Sequence, residues 1–384
     1  MLVYRVHDFS GQIEQNSTDT RYEQDDSQGK LSFEEILRAI QQDQNSLPPS
    51  NSGPGEGGVK VDIGKLNISL PSYEAKDKKH RFSTFISDIV NLNRQLPDVR
   101  PKQCHNVIYP DNLPSIGIVL IYRDEWPSIL LRTVYSVINN TPPQLLKEII
   151  LVDDGSKDEE LQLKVAIHAK ALPKVRLIRH ETSRGLMMAR QAGIDAVTAE
   201  IFAVMDGHIE VAPHWLEPLL ARLVEEPKAL LSSLVGSIDQ EDFHFKVSTN
   251  DPDTLTFDRD FPFFDPIGLD QMYVTYSEEY RKQRKDRIAP LPYPVLQGMM
   301  MVMRKDFFLS LGGFDPGMRV WGSEQIEVSV KVWMCGGRVE MIPCSIVAHM
   351  FRYDRWCLFG WVRLVIEKTI VITIGLYFLI NLEK

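Results

Sequence analysis

The chain reads as an α/β protein whose mostly parallel, twisted sheet carries helices on both faces. Three observations predict this. Apolar runs without polar alternation occur at 116–122, 148–153, 175–179 and 201–205, and strands that are hydrophobic on both sides are buried on both sides. Helical stretches separate these runs, which is the order of βαβ units. Carboxylates stand at the ends of two of them, Asp153-Asp154 and Asp206, where ligands bind in open α/β sheets.

Each element has its own signal. Pro114 precedes the first strand, and Pro127 opens a helix through about Asn139, proline being pre-organised for a first helical turn. The run at 148–153 ends in Asp-Asp-Gly-Ser; a helix, the strand 175–179 and a second helix from about Leu186 follow. After the strand at 201–205, Pro213 is expected to open a helix over 215–223.

Ahead of this region, residues 1–80 read as a disordered stem or linker. The stretch at 47–58 is dominated by Pro, Gly and Ser and offers too little apolar surface to fold. A short helix is expected inside it, where Ser32 and Glu35 form a capping box and Phe33, Ile36, Leu37 and Ile40 share a face. The start shows no signal peptide or N-terminal anchor. At the other end, 353–384 forms an apolar tail whose longest run, 369–382, is shorter than the ~20 residues a spanning helix needs; a buried element or an amphipathic tail fits better, leaving membrane association open.

Composition narrows the function. The 384 residues carry 43 Lys+Arg against 52 Asp+Glu, a net charge of −9, which argues against nucleic acid as a partner. Four cysteines without Cys-x-x-Cys spacing exclude a disulfide mini-fold and a zinc ribbon. Asn16, Asn67 and Asn139 begin glycosylation sequons, meaningful only in a secretory lumen. Lys282, Arg284, Lys285 and Arg287 form a basic run that reads as a solvated helix face.

The sharpest chemical signal is Asp206-Gly-His208. Residues i and i+2 of an extended segment point the same way, so both could hold a divalent ion over the sheet edge. A carboxylate with an imidazole suits manganese better than calcium. Taken alone, the pair also reads as a turn aspartate beside a surface histidine, and Asp153-Asp154 as a turn and helix cap.

Longer stretches decide between these readings. Leu96-Pro-Asp-Val-Arg100, Tyr109-Pro-Asp-Asn-Leu-Pro114, Leu130-Leu-Arg-Thr-Val134, Trp215-Leu-Glu-Pro-Leu-Leu-Ala-Arg222, Trp321-Gly-Ser-Glu-Gln-Ile-Glu327 and Val347-Ala-His-Met-Phe-Arg352 resemble the polypeptide N-acetylgalactosaminyltransferases, which initiate mucin-type O-glycosylation. The resemblance runs from about Phe82 to Arg352 and implies a GT-A (nucleotide-diphospho-sugar transferase) fold over 81–352. It implies transfer of N-acetylgalactosamine from UDP-GalNAc to Ser/Thr hydroxyls of protein or peptide acceptors, with retention and with Mn²⁺, in the Golgi lumen. By the same resemblance the metal ligands are Asp206, His208 and His349, and Asp154 meets the uridine. Arg184, Trp321 and Arg352 fall on the nucleotide and substrate side; Glu324, Glu327 and Asp124 fall near the chemistry. Cys104 is implied to pair with Cys344, leaving Cys335 free or paired with Cys357.

The departures predict weak transfer. Ser183 stands where the family has a nucleotide-contacting arginine, Met299 where it has glycine beside the acceptor site, and Gln325 where it has asparagine. After Arg352 the text no longer matches the family's mobile loop and lectin domain. A catalytically inactive homologue that binds UDP or a partner protein is therefore the competing reading.

Overall fold

In the computed structural model, alternate residues of the strand β1 (Ile116–Tyr122) enter two different hydrophobic clusters, with Ile118 and Leu120 in one and Val119 and Ile121 in the other. Both faces are therefore covered, as the unbroken apolar run requires. The structure describes residues 52–62, 64, 74–247, 286, 288–293, 295–318 and 324–352, and the backbone of 261–263 and 272–274. The helix expected around Ser32, the sequons at Asn16 and Asn67, the basic run Lys282 to Arg287, Trp321, Cys357 and the tail 353–384 lie outside the described residues.

Two short helices, α1 (Glu74–His80) and α2 (Thr84–Ile89), precede β1. Then come α3 (Pro127–Asn140), β2 (Leu146–Asp153), α4 (Glu159–Ala171), β3 (Val175–Arg179), α5 (Leu186–Ala196) and β4 (Ile201–Asp206). The second half holds β5 (Ile209–Val211), α6 (Glu217–Glu225), β6 (Ala229–Ile238) and β7 (Phe245–Lys246). After the detached pair β8 (Phe261–Phe263) and β9 (Met272–Val274) follow β10 (Leu291–Pro292), β11 (Met300–Arg304), α7 (Lys305–Ser310), α8 (Glu324–Met334) and β12 (Arg338–His349).

The main sheet has the order β10-β12-β6-β11-β4-β1-β2-β3, with β5 added to β12 and β7 to β6. The β4-β1-β2-β3 portion is parallel, as expected. Beyond β4 the sheet is mixed, because β11 runs antiparallel to both β4 and β6 while β12 is parallel to β6. The chain moves from β1 outward to β3 and then crosses back to β4 on the other side of β1. That reversal opens a crevice at the carboxyl ends of β1 and β4.

Two local expectations change. The helix after Pro213 starts later, at Glu217, with Pro218 in its first turn, because His214 takes a left-handed φ of 59° that no helix continues through. Trp215 instead becomes a fully buried plug whose indole donates to Thr141 Oγ1 at 3.1 Å. Residues 52–62, expected in the linker, pack on the domain: Val61 is 5% exposed within the core and its N–H donates to the Asp242 carbonyl at 2.8 Å.

The expected disulfide is present. Cys104 and Cys344 are bonded with Cα atoms 5.5 Å apart, tying the segment before β1 to β12 five residues ahead of His349. Cys335 is exposed and has no disulfide partner among the described residues.

Candidate active site and metal centre

The crevice holds the Asp-x-His pair because of how three strands end. Asp206 closes β4 opposite Ile121 of β1. The chain turns at Gly207 and enters β5, where Ile209 pairs with His349 at the end of β12. Thr133 of α3 locks the turn: its hydroxyl donates to the Gly207 carbonyl and accepts from the Ile209 N–H, both at 3.1 Å. One ligand atom from each of Asp206, His208 and His349 thus lies within 4.8 Å of the other two, and the two imidazole centroids are 4.7 Å apart.

The donors fit a divalent ion. Burial pushes the His349 pKa down to about 4, with Asp206 only partly opposing it, so the ring is neutral near pH 7, the form that ligates metal. Its Nδ1 is buried without a hydrogen-bond partner among the described residues, and its Nε2 stands 3.5 Å from Asp206 Oδ2. The Asp206 carboxyl is held below the usual range despite burial, by His349 and Arg190.

Sequence reading missed the residue that orients His208. Glu125, 6% exposed, places Oε2 3.1 Å from His208 Nδ1. An anionic acceptor there keeps the proton on Nδ1 and leaves Nε2 for an ion, the usual carboxylate–histidine–metal arrangement. Arg352 donates to both Glu125 oxygens at 2.6 Å and lies 4.9 Å over the Phe82 ring. Burial opposes the Glu125 charge, but Arg352 and His208 outweigh it and hold its pKa at about 2. A depressed carboxylate stabilises the fold fully above its unfolded pKa near 4.5 and loses that contribution as pH falls toward 2. Glu125→Gln should therefore cost on the order of 3 kcal/mol at pH 7, and the gap from wild type should close between pH 4.5 and 2. Thermal melts across that range check it; a gap that stays constant would contradict the linkage.

A second missed residue joins the metal group to the acidic helix start. Arg190 of α5, 3% exposed, donates to Glu324 Oε1 at 2.9 Å, to the Gly298 carbonyl at 2.7 Å and to Asp206 Oδ1 at 3.3 Å. Glu324 is 2% exposed in the first turn of α8, and the Gln325 amide faces its carboxylate. A small pocket opens among Arg190, Leu296, Gly298, Met301, Glu324 and Gln325. No local pattern in Leu-Met-Met-Ala-Arg-Gln marks Arg190; its partners come from β4, the loop before β11, and α8.

The remaining candidates are dispersed. Asp154 is 4% exposed, and its two oxygens accept from Ser183 Oγ (2.6 Å), Arg184 N (2.8 Å), Gly185 N (3.1 Å) and His180 Nδ1 (3.1 Å). Ser183, standing in for the family arginine, thus binds Asp154 and fixes the loop before α5. Arg184 contributes its backbone to that loop while its side chain is exposed. Asp124, expected near the chemistry, accepts from the Lys157 N–H at 2.6 Å, and its neighbour Glu125 reaches His208. Glu327 turns to Lys331 one helical turn on, and burial raises its pKa. Met299 packs on a core cluster rather than standing clear in the cavity.

The fold and the position of this site are those of the GT-A glycosyltransferase class. The family model for glycosyl transferase family 2 matches residues 117–312, just over half the chain, and the chain belongs to that family. A second model, the N-terminal domain of galactosyltransferase, matches 284–354. More particularly, the chain is similar to polypeptide N-acetylgalactosaminyltransferases. It is 36% identical over 298 residues to polypeptide N-acetylgalactosaminyltransferase 10 of Mus musculus, covering 76% of this chain and 48% of that one. It is 39% identical over 293 residues to polypeptide N-acetylgalactosaminyltransferase 3 of Taeniopygia guttata, covering 74% and 47%. The crystal structure of GalNAc-T7 with UDP, GalNAc and Mn²⁺ superposes with a TM-score of 0.72 at 30% identity, covering 80% of this chain and 57% of the other; the fold is GT-A. The chain spans about half the length of these curated relatives.

Proposed function

We propose that the chain transfers N-acetylgalactosamine from UDP-GalNAc to Ser/Thr hydroxyls of protein acceptors, with retention and with Mn²⁺ held by Asp206, His208 and His349. The observation that carries this reading is the continuity from the metal group through Arg190 to Glu324. An ion at that group would offset diphosphate charge and stabilise departing UDP. Arg352 brings a guanidinium to the same edge, suited to phosphate oxygens. Glu324, beside the cavity, is placed to bind and orient the sugar or the incoming hydroxyl, and Arg190 fixes its carboxylate. The sugar–UDP bond breaks, a bond to the hydroxyl oxygen forms, and the hydroxyl proton passes to the departing diphosphate of UDP. The buried Cys104–Cys344 bond suits an oxidising compartment, in keeping with a Golgi lumen, and no helix among the described residues is long and apolar enough to cross a membrane.

An inactive, UDP-binding homologue is the second reading. It is favoured by Glu324, whose carboxylate is engaged by Arg190 and faced by the Gln325 amide, which occupies the acid on the acceptor side while leaving the metal group for UDP. Incubating the chain with UDP-GalNAc and a mucin-like peptide, with Mn²⁺ or with chelator, separates the two. The expected result is metal-dependent glycopeptide at a rate ~100-fold below an ordinary transferase, the cost of slight misplacement of reacting groups. UDP binding with no glycopeptide at all would select the second reading.

A further inference from the structure

Resting on the metal assignment above, we propose that the buried Arg94–Glu210 pair is a positioning clamp for His208, completed by the segment 52–62. His208 stands in the turn immediately before β5, and Glu210 is the second residue of that strand, facing away from the core cluster that Ile209 and Val211 enter. Glu210 also lies opposite Ala348, beside His349, in the β5–β12 register. Anchoring Glu210 therefore fixes the strand that presents one metal histidine and pairs with the strand that presents the other.

The anchor is Arg94, whose side chain is 0% exposed. It grips Glu210 bidentately, with Nε to Oε2 and Nη2 to Oε1 both at 2.7 Å. A buried guanidinium needs its other protons satisfied as well. Nη1 donates to the carbonyls of Phe243 at 3.1 Å and Gly55 at 3.4 Å, and the guanidinium lies 5.7 Å from the Phe243 ring centre. The Gly55 carbonyl is available because that residue takes φ +75°, where an added Cβ would lie 3.0 Å from Val90 and 3.1 Å from Arg94 Nη1. Glu56 accepts from the Gln95 N–H at 3.2 Å, and at Gly58 an added Cβ would stand 2.7 Å from Phe245 Cβ. Segment 52–62 is thus fitted against Arg94 on one side and the β6–β7 hairpin on the other.

The test uses the full chain and reads Mn²⁺ binding by calorimetry and by the Mn²⁺ paramagnetic resonance signal, without turnover. The double variant Arg94→Met/Glu210→Leu removes both charges and keeps similar volume, so the fold, followed by circular dichroism, should persist. Its Mn²⁺ affinity should fall ~10–100-fold, the usual cost of losing groups that orient metal ligands. Gly58→Val should lower affinity in the same direction through the strap alone, with Val224→Ala on the exposed face of α6 as an unchanged control. Wild-type affinity in the folded double variant would overturn the clamp while leaving the metal assignment intact. No Mn²⁺ binding by the unaltered chain would overturn both.

Discussion

His349→Ala should abolish Mn²⁺-dependent UDP binding. The ring supplies one of three clustered donors and lies at a buried strand end whose geometry is set by pairing with β5. Loss of an orienting neighbour typically costs 10–100-fold in metal affinity, so loss of a donor itself should cost more than about a hundredfold. Because an ion contributes several kcal/mol to stabilising a departing diphosphate, transfer should fall by about a thousandfold or more. Asp206→Asn should behave alike while disturbing packing less, since its side chain is about a quarter exposed. UDP titrations with and without Mn²⁺ read the effect; an undiminished metal dependence in either variant would remove these residues from the ligand set.

The second large effect concerns stability. The Cys104–Cys344 bond has a sequence separation of 240 residues. In the chain-entropy treatment, closing a loop of that size restricts the unfolded ensemble by about 5 kcal/mol. Whole domains are stable by only ~5–15 kcal/mol, so Cys104→Ala/Cys344→Ala should lose a large part of the total. Urea unfolding at matched pH should show a much lower midpoint with a broadly similar slope. A loss below about 1 kcal/mol would mean that the reduced chain already holds these segments together.

Much of the parallel half was legible in the sequence, because its information is local. β1 and β3 fall where the apolar runs predict them, since strands covered on both faces need no polar alternation. The three residues of the candidate metal group were legible through Asp-x-His and a family-like segment around His349. Glu125 and Arg190 were not. Glu125 meets partners 83 and 227 residues away, and Arg190 meets Glu324 across 134; no spacing rule reaches so far. Segment 52–62 misled for a different reason. Glycine and proline commonly mark a flexible linker, but at Gly55 and Gly58 the missing Cβ permits close approach to Arg94 and Phe245. The mixed half of the sheet was obscured because β11 lies between β4 and β6, an insertion that hydrophobicity along the chain does not encode.

The covalent bond between Cys104 and Cys344 also makes a ring of the chain between them. Asp206, His208 and Glu324 lie within that ring, while His349 and Arg352 follow directly from its closing residue. A protease that cuts the backbone once anywhere between the two cysteines leaves fragments that remain one molecule until a reductant is added. Such a nicked chain would migrate as a single species without reductant and as two with it. It would keep all three metal-group residues on one covalent body, so cleavage and loss of the centre need not coincide.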